Sequence, residues 1–135
     1  MREIKFRGKR LDNGEWIYGS LLVSHFKDDK KERYFITQFS GNYTFEHEVD
    51  PNTVGQFTGL RDKNGKEIYE GDIVNVLFGD ILVPLLVVFD CGGWKIREEY
   101  DETLHDLEYY ASDKEVESVI GNIHDNPELL KGGDQ

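Results

Sequence analysis

Cysteine is nearly absent: Cys91 stands alone, so no internal disulfide can form. The N-terminal run MREIKFRGKR lacks the apolar stretch of a secretory signal, and the two features together point to a reducing cytoplasm. Long apolar runs are missing as well. The longest, Ile81 to Phe89, is nine residues interrupted by Pro84, about half of the ~20 that cross a bilayer as a helix, so no helical membrane span is expected. Positive charge is scarce, with 16 Lys and Arg against 27 Asp and Glu and a formal net charge of -11. Such a chain repels a phosphate backbone as a whole. The Walker A, G-x-G-x-x-G and G-x-S-x-G patterns are all lacking, which removes the usual signatures of nucleotide binding and of serine hydrolysis.

What is present is aromatic and β-forming. Eight Phe, seven Tyr and two Trp accompany 14 Gly and a single Met in 135 residues; aromatic side chains suit a pleated, half-buried surface. A hydrophobic content of 38% supports a folded core despite 32% charged residues. The expected fold is mainly β, and the length allows one core or two small β units. At Asp50-Pro51-Asn52, proline lacks an amide donor and holds its predecessor extended, which divides the chain into residues 1–50 and residues 51–135.

Turn signals order the rest. Met1 to Leu11 reads as a strand, Asp12-Asn13-Gly14 as a two-residue reversal, and Glu15 to Val23 as its return. Lys27 to Arg33 is a charged loop, and Tyr34 to Phe39 a strand with Tyr34, Ile36 and Gln38 on one face. Val54 to Leu60 leads through a type I′ turn at Asn64-Gly65 into Glu67 to Phe78, with Ile68, Ile73 and Val74 expected in the core and a bend at Glu70-Gly71-Asp72. Leu82 to Phe89, the turn Cys91-Gly92-Gly93 and Trp94 to Arg97 form a further hairpin. In Glu98 to Ser112, Tyr100, Leu104, Leu107 and Tyr110 or Ala111 have helical spacing, so a helical turn or loop is expected. Glu117 to Ile123 alternates as a last strand. Asn126-Pro127-Glu128 has the cap, the proline and the acidic first turn of a short closing helical turn, after which Gly132 to Gln135 should fray. The pattern N-G-x-x-I-Y occurs at Asn13 to Tyr18 and again at Asn64 to Tyr69; with so few positions, convergent turn chemistry is favoured over duplication of a hairpin.

Chemistry is sparse. His47 has Glu46, Glu48 and Asp50 as neighbours, but in a strand the glutamates point away from the histidine, so no metal or cofactor site is expected. Cys91 reads as a small, partly buried hydrophobe at a strand end rather than a reactive thiol. The run Glu98, Glu99, Asp101, Glu102 is a solvated acidic face rather than a general acid and base pair. Residues 98–135 hold twelve acidic against two basic residues, while residues 1–33 hold nine basic against six acidic. The stripe Arg2, Lys5, Arg7, Lys9, Arg10 reads first as a solvated strand face; if nucleic acid were bound, Lys5, Arg7 and Lys9 would contact it. Aromatics outnumber what so small a core must hold, and Trp94, Tyr109 and Tyr110 are the candidates for a partner surface.

Three blocks carry a resemblance. MREIKFRGKR at the start, VDPNTVGQFTGLRDKNGKEIYEGDIV in the middle and VIGNIHDNPELL near the end make the chain similar to the YopX family of phage and prophage proteins. The resemblance implies an SH3-like barrel in the C-terminal part, entered at Gly71-Asp72-Ile73-Val74, with the N-terminal β unit packed on it. It assigns no catalytic residues and implies a protein made inside a bacterial host. The function expected is a non-enzymatic binding or adaptor module for a host or phage protein, with no membrane and with a homo-oligomer left open. The alternatives are an acidic mimic of DNA that occupies a host protein, or weak nucleic-acid binding through the basic strand.

Overall fold

The computed structural model describes residues 3–25, 27, 31–98, 101 and 103–131. Arg2 of the basic stripe, most of the charged loop after Lys27, Glu99, Tyr100, Glu102 and the C-terminal Gly132 to Gln135 lie outside them. The protein is mainly β and divides into two compact units, Met1–Phe57 and Thr58–Gln135. Asp50-Pro51-Asn52 begins a single 3-10 turn, Pro51–Thr53, in which Asp50 accepts from the amide of Asn52. No helix among the described residues is long and apolar enough to cross a membrane.

The first unit is built on β1 (Phe6–Lys9), β2 (Trp16–His25), β3 (Glu32–Ser40) and β4 (Tyr43–Val49), all antiparallel, in the order β4-β3-β2-β1. The beginning of β5 (Gly55–Arg61) pairs with β1, Phe6 opposite Gln56. The strip β4 was not anticipated, although Tyr43, Phe45, His47 and Val49 alternate as a strand requires. The sheet curls until Arg10 and Val49 form a bridge, with the amide of Leu11 donating to the carbonyl of Glu48 at 3.1 Å. That approach needs Gly8, because a Cβ there would stand 2.9 Å from the Val49 side chain. Ile17, Ile36 and Val49 are the buried centre, with Phe6, Leu21, Tyr34 and Val54 packed around them. Of the expected face on β3, Tyr34 and Ile36 point into this core, while Gln38 is exposed.

The reversal between β1 and β2 is longer than the two residues expected: Arg10 and Glu15 close it, and only Gly14 has a positive φ. The Asn64-Gly65 reversal departs from type I′ in a different way. Gly65 donates to the carbonyl of Asp62 at 3.0 Å and has φ +88°, while Asn64 keeps a negative φ, so Lys63 to Gly65 is a three-residue loop ending in a left-handed glycine. The cause is Asp62, whose Oδ1 accepts from the amides of Asn64 and Lys66, both at 2.9 Å, and holds the chain in this tighter course. Two N-G-x-x-I-Y segments with different turns fit convergence better than duplication.

The second unit contains the remainder of that hairpin, β6 (Glu67–Tyr69), then β7 (Asp72–Phe78), β8 (Ile81–Asp90), β9 (Gly93–Arg97), β10 (His105–Asp106), α1 (Leu107–Ser112) and β11 (Val116–Asn122). Five of these strands make a sheet in the order β10-β9-β8-β7-β11, whose edge strands do not pair with each other. Glu67 to Phe78 is therefore two strands rather than one: the chain turns at Glu70-Gly71, and β7 pairs with β8 and β11. The bend falls where Gly71 adopts φ +90°. β7 and β8 are covered on both faces. Val74, Val76, Leu85 and Val87 join Ile68, Ile96, Leu107 and Val116 in one core, while Ile73 and Leu86 meet Leu130 of the 3-10 turn Pro127–Lys131 in another. Two-sided burial explains the apolar centre of the run, Leu85 to Val87, whereas Ile81, Leu82 and Phe89 at its ends are exposed. Pro84 is tolerated because β9 pairs with β8 only from Leu86 onward.

Candidate functional site

The segment between β9 and β11 gathers an aromatic cluster. His105 pairs with Ile96 and thereby sets β10 against β9. α1 then begins only at Leu107, later than the spacing from Tyr100 allows, because His105 and Asp106 are held in the ladder. Leu107 anchors the helix in the core. Tyr110 packs edge-on against Phe78, ring centroids 5.1 Å apart, and against Tyr109 at 5.0 Å, while His105 lies 5.4 Å from Phe78 and 6.1 Å from Tyr110. Tyr110 is half-buried, whereas Tyr109 is 60% exposed. Exposed Asp106, Glu108 and Asp113 flank it. A rigid aromatic ring in an acidic setting can anchor a partner that carries positive charge.

Trp94 belongs elsewhere. It makes a T-shaped contact with Phe89 across the β8–β9 hairpin at 4.9 Å, and among the described residues no ring contact joins it to Tyr109 or Tyr110. The three aromatics picked from the sequence are thus two separate groups. Cys91, at the tip of the same hairpin, is exposed rather than partly buried. Asp90 and Gly93 close a two-residue turn, and Cys91 and Gly92 both take positive φ, 50° and 76°, which carries the thiol into solvent.

Next to the ring cluster, Asp101 accepts from the amide of Thr103 at 2.9 Å. That bond, then the Thr103 side chain and then the charge of His105 hold the Asp101 carboxyl below its ordinary value, against a smaller opposing effect of desolvation. A depressed carboxylate pKa means that the interaction is present above the ordinary value and disappears as pH falls through the depressed one. A 13C titration should place the midpoint of Asp101 below that of an ordinary aspartate. Thr103→Pro, which deletes the donating amide, should raise it; an unchanged midpoint would contradict the assignment.

In the first unit, Lys5, Arg7 and Lys9 do share one face, but aromatic rings occupy them. Lys5 stands 5.2 Å from the centroid of Phe57, Arg7 4.6 Å and Lys9 5.7 Å from that of Trp16. Arg7 is only 6% exposed, so it offers little surface to a phosphate. Lys5, Arg7 and Lys9 form a packed cation-and-ring layer.

A feature without an evident sequence signal lies between β2 and β3. Their ladder stops at Ser20 and Thr37, where a Cβ on Gly19 would collide with the Thr37 carbonyl. Beyond this point the strands part, and the Gln38 amide donates to the carbonyl of Tyr18 at 3.0 Å. The result is an open groove of about 560 Å³ lined by Tyr18, Thr37, Gln38, Phe39 and Phe45, with no charged side chain. No three His, Cys, Asp or Glu residues come together as a metal site among the described residues.

Comparison with known proteins gives the following. The family model described as YopX protein matches residues 5–131. The crystal structure of protein EF1440 from Enterococcus faecalis is similar to this chain with a TM-score of 0.57 and 24% identity, over 96% of this chain and 99% of that one. At that identity the likeness speaks for the fold alone. No curated protein matches the chain.

Proposed function

The chain belongs to the YopX family, and from that premise we propose that it is a non-enzymatic binding module of a phage or prophage, acting in the cytoplasm of a bacterial host. Its C-terminal unit engages a positively charged partner protein, with Tyr109 as the anchor. The observation that carries this reading is the exposed Tyr109 ring braced on Tyr110, which itself packs on Phe78. The acidic surroundings support the sign of the partner's charge: residues 58–135 hold eighteen acidic and seven basic side chains. Tyrosine gives contact area at small entropic cost, and the acidic rim steers a basic partner to it. We also read this unit as an SH3-like barrel, supported by a four-strand meander β7-β8-β9-β10 whose first strand is flanked by β11, with the short α1 just before that last strand.

A second reading, an acidic mimic of DNA, rests on the same charge excess without an aromatic anchor. Salt separates the two. In a pull-down from host lysate repeated at 1 M salt, where screening shortens to ~3 Å, an aromatic-anchored partner should stay bound to the wild type and be lost from Tyr109→Ser. A partner that salt removes and Tyr109→Ser retains would replace the proposal with the mimic.

A further inference from the structure

We propose that Asn13 is a site of spontaneous deamidation and that the fold shields Asn64, which stands in the same dipeptide. Asparagine loses its side-chain amide when the main-chain nitrogen of the next residue attacks Cγ. The N–Cγ bond forms, the Cγ–Nδ2 bond breaks, and the proton of the attacking amide leaves with the side-chain nitrogen as ammonia. Water then opens the succinimide ring to aspartate or isoaspartate, the latter lengthening the main chain by one methylene. A following glycine has no Cβ to obstruct the attack, and only Asn13-Gly14 and Asn64-Gly65 have that pairing in this chain. All four residues are exposed.

The attacking nitrogens are alike. The amide of Gly14 donates to the carbonyl of Arg10 at 2.9 Å and that of Gly65 to the carbonyl of Asp62 at 3.0 Å, so each gives up one turn bond. The carboxamides are held differently. At Asn13 the amide of Glu15 donates to Oδ1 at 3.0 Å. That bond folds the side chain back along its own main chain, and it supports the negative charge that Oδ1 gains as Cγ is attacked. Asp12, the neighbouring carboxylate, is paired with Arg10 at 2.6 Å, which brings a cation into the same turn. At Asn64 it is the leaving nitrogen that is tied, donating to the carbonyl of Glu117 in β11 at 3.4 Å. Asp62 Oδ1 pins the main chain on both sides through the amides of Asn64 and Lys66. Its charge also opposes a developing oxyanion on the adjacent carboxamide.

Peptide mapping by mass spectrometry, after incubation of the folded full chain in mildly alkaline buffer, reads both sites at once. Asn13 should convert roughly tenfold faster than Asn64, the ratio expected when one hydrogen bond assists at the first site and one must be broken at the second. Isoaspartate should be among the products at residue 13. In denaturing urea the two sites should convert at similar rates, because only the local sequence then distinguishes them. Asp62→Ala, kept folded below its melting temperature, should accelerate Asn64 and leave Asn13 at its wild-type rate. A folded chain in which Asn64 converts as fast as Asn13, or in which Asn13 stays intact while it converts in urea, would overturn the proposal. A preference for Asn13 that persists undiminished in urea would also overturn it, since sequence and not the fold would then set the rates.

Discussion

Asp62→Ala should lower the melting temperature by roughly 10–20 °C, corresponding to about 3 kcal/mol in a unit of this size. The residue lies in a surface hairpin of polar composition, DKNGK, where a substitution would ordinarily cost little. Its carboxylate is nevertheless buried. Oδ1 fixes the reversal through Asn64 and Lys66, and Oδ2 accepts from the amide of Val119 at 3.0 Å, which ties the hairpin to β11. The amide of Lys63 donates to the carbonyl of Val116 at 2.9 Å beside it. Through these links the hairpin holds Ile68 over the core of Val74, Val87, Ile96 and Val116. Alanine removes both acceptor oxygens and the three hydrogen bonds they accept, and leaves the half-buried Val119 amide without its partner, whereas charged acceptors are among the stronger hydrogen-bond partners.

Asp62→Asn separates the two roles of the side chain. Its oxygen can still serve Asn64 and Lys66, but its amide would face the Val119 amide, donor against donor. The expected loss is about 2 kcal/mol, between wild type and alanine. Hydrogen exchange at Val119 should accelerate in both variants, more than at Val74 in the centre of the sheet. If Asp62→Ala melts within a degree or two of the wild type, the carboxylate is not the staple described.

How far the sequence discloses this molecule depends on how local the determining contact is. β8 announces itself through its apolar, β-branched run, whose centre, Leu85 to Val87, is buried between two cores. The reversals at Gly14 and Gly65 were located correctly, but their lengths were not: the first closes between Arg10 and Glu15, and the second follows the Asp62 carboxylate. β4 was overlooked because Phe45-Glu46-His47-Glu48 draws attention as a cluster of ligands, while its alternation is the ordinary signature of a strand. The groove beside Gln38 had no signal at all. It lies where the β2–β3 ladder ends and is lined by residues far apart in the chain, Tyr18 and Gln38 among them. Tyr109 and Tyr110 came out together because they are neighbours in the chain. Trp94 stands apart from them, its partner Phe89 lying across a hairpin, which the sequence does not disclose.

Replacing Gly71 with valine should be at least as damaging as the loss of Asp62. Gly71 stands at the third position of the turn from Tyr69 to Asp72 with φ +90°, a conformation that a β-branched residue adopts only under strain of about 3 kcal/mol. The turn cannot relax to accommodate it. The amide of Gly71 donates to the carbonyl of Val87 at 2.9 Å and its carbonyl accepts from Ile123 at 2.8 Å, so both of its main-chain groups are already committed. Asp72, buried beside it, accepts from the amide of Tyr69 at 2.7 Å and locks the same corner. Rotation of Gly71 towards negative φ would break these bonds and swing Ile73 out of the core it shares with Leu86 and Leu130. A drop in melting temperature of roughly 10–20 °C is expected. Gly93→Ala is the control, because Gly93 has no positive φ and a Cβ there meets nothing closer than Lys95 Nζ at 3.6 Å; its melting temperature should match the wild type. The motif E-G-D is then a device for turning one strand into the next, and a Gly71→Val protein that melts normally would contradict that role.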